Sequence, residues 1–238
     1  MNDWFARWFG KEYLELYPHR DEHDARNVVA LVRRVVDVAP TRALDLACGT
    51  GRHARALRTW TPIVGFDLSS ILLGVAARAG GDIPYVRGDM RRLPFTAGAF
   101  DLVVNLFTSF GYFDTDEEHA TVLREVARVT RPGGTFVLDY MNADWVRATL
   151  VPSDERVMEG KTIWQRRRIT SDGRFVLKTI SAQECDHTYI ERVRLFSASE
   201  LRALVEGSGF TVRQEFGDYE GGARTASSPR VILFAERA

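Results

Sequence analysis

The hydrophobic pattern of the chain alternates between short apolar runs and longer stretches with helical spacing. The apolar runs have the length and composition of strands buried on both faces, and they lie at 42–46, 61–67, 83–87, 100–105 and 135–139. The helical stretches repeat apolar residues every three or four positions, and they lie at 25–38, 53–60, 69–79, 117–130 and 199–207. This alternation predicts an α/β fold built on a mainly parallel sheet.

A different pattern begins after the fifth predicted strand. Residues 155–196 alternate between apolar and polar positions, and turn signals at 171–173 and 185–187 divide them. We therefore predict a three-stranded antiparallel meander inserted at this point. Two further strands follow it, beginning at residue 209 and at residue 230.

The first twenty residues are rich in aromatic side chains. Trp4, Phe5, Trp8 and Phe9 fall at helical spacing. This spacing favours a short amphipathic helix that packs on the body of the domain.

Composition narrows the class of protein. Lys plus Arg and Asp plus Glu number 32 each in 238 residues, so the net charge is zero, which argues against nucleic acid or an anionic membrane as the main partner. No apolar run approaches the roughly 18 residues of a membrane helix, and the first residues lack the apolar core of a signal peptide. The two cysteines and the charged stretch 19–24 offer no metal-ligand spacing. We expect one cytoplasmic domain over residues 1–238, with no metal, nucleic-acid or membrane partner.

A glycine-rich stretch joins the first strand to the next helix. Gly49 and Gly51 allow a sharp turn there and let the backbone approach a ligand closely. Together with Ala54 they satisfy Gly-x-Gly-x-x-Gly/Ala, the fingerprint of dinucleotide-binding proteins. The stretch therefore predicts a nucleotide or nucleoside site, and an NAD(P)-dependent oxidoreductase is one interpretation.

Two acidic residues indicate what the site binds, and the first of them favours a cationic nucleoside over a dinucleotide. Asp45 lies four residues before Gly49, where its carboxylate would repel a pyrophosphate and attract a cation. S-adenosylmethionine carries a sulfonium and an ammonium group but no phosphate. Asp67 closes the second strand 18 residues after Gly49, where a carboxylate can accept hydrogen bonds from both ribose hydroxyls.

The stretch 44–51, Leu-Asp-Leu-Ala-Cys-Gly-Thr-Gly, resembles motif I of the class I S-adenosylmethionine-dependent methyltransferases of small-molecule type. The Arg-Pro-Gly-Gly turn at 131–134 and the closing hairpin add to this resemblance. It implies a doubly wound, Rossmann-like sheet of seven strands with the last strand antiparallel, and a β insertion after strand five. It also implies methyl transfer from S-adenosylmethionine to N, O or C of a small-molecule acceptor. A non-catalytic protein that binds S-adenosylmethionine is the other alternative.

The resemblance implies a set of cofactor-binding residues. Asp89, after the third strand, matches the position that accepts the adenine amino group, and Met90 would pack on the ring because a thioether suits a π surface. The region 1–38 matches an N-terminal lid, from which Tyr17 would reach the cofactor. The full candidate set is Tyr17, Asp45, Ala47, Gly49, Gly51, Asp67, Leu68, Asp89, Met90 and Asn105.

The acceptor pocket is expected in the aromatic stretch after the fourth strand, because binding crevices lie at the carboxyl ends of parallel strands. The candidate walls are Phe107, Phe110, Tyr112 and Phe113. The methyl donor is already activated, so alignment is the main requirement and no obligatory base is expected. The candidates to orient or deprotonate the acceptor are Tyr112, Tyr140, Asn142 and His187. In this family the insertion lies over the active site or in a subunit contact, so a homodimer is one expectation.

Overall fold

The computed structural model describes residues 4–16, 22–158, 161–182 and 188–238. Its strands are β1 (Ala43–Leu46), β2 (Ile63–Asp67), β3 (Tyr85–Arg87), β4 (Phe100–Asn105), β5 (Thr130–Met141), β6 (Ser153–Met158), β7 (Lys161–Ile169), β8 (Phe175–Ala182), β9 (Tyr189–Arg194), β10 (Phe210–Phe216) and β11 (Arg230–Arg237). Its helices are α1 (Trp4–Trp8), α2 (Lys11–Leu16), α3 (Glu22–Val35), α4 (Arg52–Arg58), α5 (Ser70–Arg78), α6 (Asp116–Val129), α7 (Ala143–Thr149) and α8 (Ala198–Gly207).

Seven strands form the central sheet in the order β10-β11-β5-β4-β1-β2-β3. The strands from β5 to β3 in this order pair in parallel, whereas β11 runs antiparallel to both β5 and β10. The predicted fold class, a doubly wound sheet with an antiparallel last strand, is therefore confirmed.

Helices cover both faces of this sheet because the side chains of each central strand alternate between them. In β4, Val103 packs with the apolar side chains of α6 and α8, whereas Leu102 and Val104 pack with those of α3 and α4. Strands buried on both faces give the continuous apolar runs seen in the sequence. Within the described residues, no helix combines the length and apolar composition that crossing a membrane requires.

The insertion after β5 is a separate antiparallel sheet in the order β6-β7-β8-β9. It has four strands, so the prediction of three was one strand short. The missing strand, β6, is Ser-Asp-Glu-Arg-Val-Met and is mostly exposed, so it carries no apolar alternation that could reveal it.

Three other elements differ from the sequence-based expectations. The N-terminal aromatic stretch forms two short helices, α1 and α2, separated at Gly10. Helix α7 was not predicted. The residues expected to form a turn at 131–134 lie within β5, where the pairing with β4 moves from Thr130 directly to Thr135. The four residues therefore form a bulge, and Gly133 takes the positive φ of 72° that it contains.

Candidate cofactor and acceptor site

A cavity of about 300 Å³ opens where β1, β2, β3 and β4 end at the same edge of the sheet. Strand β1 pairs with β2 on one side and with β4 on the other. The order of the strands therefore reverses direction at β1. This is the place where open α/β sheets bind ligands. Helices α1 and α2 and the turn between them cover the cavity, and they contribute Phe5, Phe9, Tyr13 and Leu14 to its lining.

The glycine loop between β1 and α4 forms the floor of the cavity. Ala47, Gly49 and Gly51 have φ values of 60°, 56° and 75°, and this left-handed backbone turns the chain sharply. A Cβ atom at Gly51 would lie 2.4 Å from the hydroxyl of Tyr85, so a larger residue would collide with it. The loop therefore needs glycine both for its conformation and for its packing.

Asp45 lies in β1 directly before this loop and is 1% exposed. Burial, with a further contribution from Asp67, raises its pKa to about 7, against the opposing effects of the Ala54 backbone N–H and the Arg52 guanidinium. Its Oδ2 atom has no hydrogen-bond partner among the residues that the structure describes. A buried carboxylate oxygen without a hydrogen-bond partner suits a cationic group on a ligand, and S-adenosylmethionine carries such groups.

Asp67, at the end of β2, lines the cavity and also fixes the loop. One carboxylate oxygen accepts a hydrogen bond from the Gly49 N–H and the other from the Ser69 N–H, each at 2.8 Å. Burial raises the pKa of Asp67, and these backbone N–H groups oppose that shift. A carboxylate oxygen can accept more than one hydrogen bond, so Asp67 retains capacity for a ribose diol.

Asp89 and Met90 follow β3 and line the cavity. The Arg91 side chain binds both carboxylate oxygens of Asp89, at distances of 2.6 to 3.1 Å. Burial opposes ionisation, but the hydrogen bonds from Arg91 prevail and lower the pKa of Asp89. This carboxylate is therefore ionised and fixed in orientation.

The structure brings together most of the predicted cofactor set. The candidates that line the cavity are Ala47, Gly49, Asp67, Leu68, Asp89 and Met90. Asp45, in β1, and Gly51, in the loop, do not line the cavity but lie next to residues that do. Asn105 was wrongly placed, because its amide is 1% exposed and donates to the Leu46 carbonyl at 2.9 Å, which joins β4 to β1. Tyr17 and His187 lie outside the described residues.

The end of the cavity at which the sequence predicts the acceptor is aromatic. Phe107, Tyr112 and Phe113 line it as predicted, but Phe110 does not, because it is buried in the core against His119 and Phe196. The Tyr112 ring lies 5.3 Å from that of Trp4 and 5.5 Å from that of Phe9, measured between ring centroids. The helices α1 and α2 and the loop after β4 therefore enclose this end together.

Tyr140 and Asn142 do not reach the cavity, so their proposed roles toward the acceptor are corrected. The Tyr140 side chain is fully buried, and its hydroxyl donates to the Arg194 carbonyl at 2.5 Å. The Asn142 side chain caps α7, and its amide donates to the carbonyls of Thr225 and Ser228. Both side chains therefore bind backbone carbonyls of segments that are distant in the sequence.

Arg52 is a lining residue that sequence reasoning missed. It is the first residue of α4 and is 8% exposed, and its guanidinium carbon lies 4.3 Å from the centre of the Phe107 ring. His53, the next residue, lines the cavity too. A signal existed in their position, because both residues begin the helix whose N-terminus faces the ligand that a glycine loop binds.

Across the described ranges, no three side chains of His, Cys, Asp and Glu gather into a group that could hold a metal ion.

The carboxylates at this edge of the sheet would repel a pyrophosphate. The site therefore suits a nucleoside that carries a cationic group. This fold and this site together define a Rossmann-like methyltransferase. Comparison with known proteins agrees. A family model described as "Methyltransferase domain" matches residues 43–134.

Relatives and solved structures extend the match over most of the chain. The demethylmenaquinone methyltransferase of Thermus thermophilus is 32% identical over 196 residues, which cover 77% of this chain and 82% of that protein. The dTDP-4-amino-2,3,4,6-tetradeoxy-D-glucose N,N-dimethyltransferase of Saccharopolyspora spinosa is 29% identical over 81% of this chain and 79% of its own. The amino pentose methyltransferase CalS10 of Micromonospora echinaspora, solved with S-adenosylmethionine bound, shares the fold with a TM-score of 0.72 at 24% identity, over 96% of this chain and 97% of that one.

Some relatives match over a shorter length. The demethylmenaquinone methyltransferase of Mycolicibacterium vanbaalenii is 39% identical over 110 residues, which span 44% of this chain and 45% of that protein.

The chain belongs to the class I S-adenosylmethionine-dependent methyltransferases that act on small molecules. It is an enzyme that transfers a methyl group from S-adenosylmethionine to a small-molecule acceptor. This membership decides against the oxidoreductase and the non-catalytic alternatives.

Proposed function

We propose that the acceptor is an amine, as in a nucleotide-linked amino sugar, and that the chain methylates its nitrogen. The observation that carries this proposal is the composition of the acceptor end. Among the described residues, the carboxylates that line the cavity are Asp67 and Asp89, and both belong to the cofactor end. A neutral amine is already nucleophilic and needs no carboxylate base, and aromatic faces stabilise the cation that it becomes.

The proposal assigns the cofactor end as follows. Asp67 binds the ribose hydroxyls, Asp89 accepts the adenine amino group and Met90 packs on the adenine ring. Asp45 faces the ammonium of the methionine part, directly or through water, while the loop at Ala47 and Gly49 lies against it. S-adenosylmethionine, when bound, supplies a methyl group that is already activated.

The protein's own residues then have to align the acceptor and exclude water. The Tyr112 hydroxyl orients the acceptor by hydrogen bonding, and the rings of Phe107 and Phe113 position it. Helices α1 and α2 are fastened at two points. The Ser69 hydroxyl donates to the Phe9 carbonyl at 2.6 Å, and the Trp8 indole N–H donates to Glu191 at 2.7 Å. The region 1–38 therefore acts as a lid within a single domain that includes the insertion 155–196.

A quinol carbon is the second candidate acceptor. The relative from Thermus thermophilus is named for demethylmenaquinone, and flat aromatic walls suit a flat ring. Transfer to carbon or oxygen calls for a base. His53 lines the cavity and would be the side chain available for that role.

The test is a panel of acceptors incubated with the protein and S-adenosylmethionine, with products identified by mass spectrometry. The panel contains a nucleotide-linked amino sugar, the same sugar with hydroxyl in place of the amine, and a demethylated naphthoquinol. We expect methylation of the amine only, at a rate that rises with pH as the ammonium form of the acceptor loses its proton. Methylation of the quinol alone, or of both sugars equally, would reject the amine proposal.

A cytoplasmic location, a homodimer and the absence of a nucleic-acid partner stay predictions from the sequence. Light scattering of the purified protein, with and without added nucleic acid, checks the last two.

A further inference from the structure

The loop between β10 and β11 is connected to the wall of the acceptor pocket. Tyr219, in this loop, donates its hydroxyl hydrogen to the Oδ2 atom of Asp139 at 2.9 Å. The same carboxylate oxygen accepts a hydrogen bond from the backbone N–H of Phe107 at 2.8 Å. Phe107 lines the cavity, whereas Tyr219 and Asp139 do not. One buried oxygen atom therefore joins Tyr219 to the wall of the pocket.

The backbone at Phe107 is in a conformation that needs outside support. Phe107 and Thr108 both have φ of 60°, in the left-handed region that residues other than glycine rarely adopt. The Thr108 hydroxyl is buried and has no hydrogen-bond partner among the residues that the structure describes, so this side chain does not hold the loop. Such conformations persist only where the surrounding contacts enforce them. The hydrogen bond from the Phe107 N–H to Asp139 is one of these contacts.

The Asp139 carboxylate is itself held through both of its oxygens. It is completely buried, and its Oδ1 atom accepts a hydrogen bond from Nε of Arg230 at 2.7 Å. Its Oδ2 atom is shared by the Tyr219 hydroxyl and the Phe107 N–H. Burial and the charge of Asp139 raise the pKa of Tyr219, so its hydroxyl remains a donor at neutral pH. Hydrogen bonds to an ionised acceptor are the stronger kind.

The segment that carries Tyr219 is fixed on both sides of it. Arg34, in α3, donates to the carbonyl of the next residue, Glu220, at 2.7 Å. The guanidinium carbon of Arg230 lies 6.0 Å from the centre of the Tyr219 ring and 5.6 Å from that of Phe107. Arg230 thus packs against both rings while it binds Asp139. The position of the Tyr219 hydroxyl is therefore set by the fold around it.

We infer that Tyr219 is a positioning residue for methyl transfer, which holds Phe107 in the wall of the acceptor pocket through Asp139. This inference rests on the proposed place of the acceptor beside Phe107. Tyr219 itself contacts neither the cofactor nor the acceptor. Without its hydroxyl, Oδ2 of Asp139 keeps one donor, and the loop relaxes toward an ordinary backbone conformation. The ring against which the acceptor is aligned then moves.

The first measurement needs no acceptor. Amide hydrogen exchange in Tyr219→Phe, followed by mass spectrometry, reports on residues 106–113. We expect exchange in this segment to become about five- to tenfold faster, the effect of losing one hydrogen bond to a charged group, while exchange in β4 stays unchanged. Unchanged exchange in 106–113, or equally faster exchange in β4, would overturn the inference.

Thr61→Val is the matched control. The Thr61 hydroxyl is also buried, and it donates to the Pro40 carbonyl at 2.7 Å. These two residues precede β2 and β1, at the edge of the sheet opposite the cavity. The control variant loses a buried hydroxyl too, but we expect normal exchange in 106–113.

The second measurement is steady-state kinetics of Tyr219→Phe with the panel acceptor that the unaltered protein methylates. We expect kcat/KM for the acceptor to fall about tenfold, because a small misplacement of a reactant is costly. The KM for S-adenosylmethionine should stay within about twofold, and Thr61→Val should change neither value. A lower melting temperature with unaltered kcat/KM would show a packing role only and overturn the inference.

Phe107→Leu separates this failure from that of the wider proposal. It removes the aromatic wall directly and should lower kcat/KM for the acceptor at least as much as Tyr219→Phe does. If Phe107→Leu leaves kcat/KM unchanged, the proposed place of the acceptor is wrong, and the inference falls with it. If Phe107→Leu lowers kcat/KM and Tyr219→Phe does not, only the inference about Tyr219 fails.

Discussion

The buried carboxylate of Asp45 has a pKa far from its usual value, so it links stability and binding to pH. Its pKa is about 7 in the folded protein, well above the usual value of 3.8. At a pH between these two pKa values, Asp45 holds a proton in the folded state that it has lost in the unfolded state. Its contribution to stability is therefore full below about pH 4 and is lost as the pH rises toward 7.

Asp45→Asn should stabilise the ligand-free protein at pH 8, because it removes the buried charge. The gain is at most roughly 4 kcal/mol, since one pKa unit corresponds to about 1.4 kcal/mol. Urea unfolding at pH 8 and pH 5 measures it, and the gain should shrink at pH 5. The same variant should bind S-adenosylhomocysteine more weakly, and it should lose the rise in affinity with pH that ionisation of Asp45 gives the unaltered protein. A variant that is equally destabilised at both pH values would contradict this account.

Asp139 shows how one buried side chain can arrange several parts of the site. It is fully buried and accepts hydrogen bonds from the Phe107 N–H, the Tyr219 hydroxyl and the Arg230 guanidinium, at 2.7 to 2.9 Å. Phe107 and Thr108 both have φ of 60°, which is costly for residues other than glycine. The Phe107 N–H bonds to the Asp139 carboxylate and the Thr108 N–H bonds to the Asp139 carbonyl at 3.0 Å, so Asp139 helps to hold this strained loop.

At the scale of elements, α1 joins the cofactor end to the insertion. Its Trp8 ring lies 4.5 Å from that of Tyr189 in β9, between centroids, and its indole N–H bonds to Glu191. The carbonyl of the following residue, Phe9, accepts a hydrogen bond from the Ser69 hydroxyl, close to Asp67. Movement of this helix would therefore open the cavity.

Trp8→Phe should speed the release of S-adenosylhomocysteine by about three- to tenfold, because it removes one hydrogen bond, worth roughly 0.5–1.5 kcal/mol, and keeps an aromatic ring. Stopped-flow dissociation measures the rate. Trp164→Phe is the control, since Trp164 lies on β7 and is largely exposed. Unchanged release from Trp8→Phe would mean that the hydrogen bond to Glu191 does not hold the lid.

At the scale of the whole molecule, the insertion braces the acceptor loop. The Arg194 N–H donates to the Gly111 carbonyl at 2.9 Å, and the Arg194 carbonyl accepts from the Tyr140 hydroxyl. Arg192 pairs with Asp114 at the end of the same loop. Strand β9 thus connects the aromatic wall of the cavity to β5 of the central sheet.

Tyr140→Phe tests this bracing role against the catalytic role that the sequence suggested. We expect kcat to stay within about threefold, because the hydroxyl does not reach the cavity. Stability should fall by about 1–3 kcal/mol, because the buried Arg194 carbonyl loses its donor. Steady-state kinetics and thermal unfolding measure the two effects. A loss of kcat of a hundredfold or more at normal stability would restore Tyr140 as a catalytic residue.

The sequence by itself determined the central sheet and the loops that meet at the cavity. Gly49 and Asp67 could be placed at this edge because strand, loop and helix follow one another there, and turn geometry and buried strands depend on local sequence. The predicted ends of the strands also showed which loops would lie together, since parallel strands bring their carboxyl ends to one edge of the sheet.

Only the tertiary structure decided the direction of individual side chains beyond that loop. Tyr140 lies near the end of β5 and Asn142 follows it, so both looked available, but their hydrogen-bond partners lie 54 and 83 to 86 residues farther along the chain. The Arg52 guanidinium stacks on the ring of Phe107, which lies in the loop after the distant strand β4. Burial and hydrogen bonding between distant segments cannot be read from spacing, because they depend on how separate elements pack.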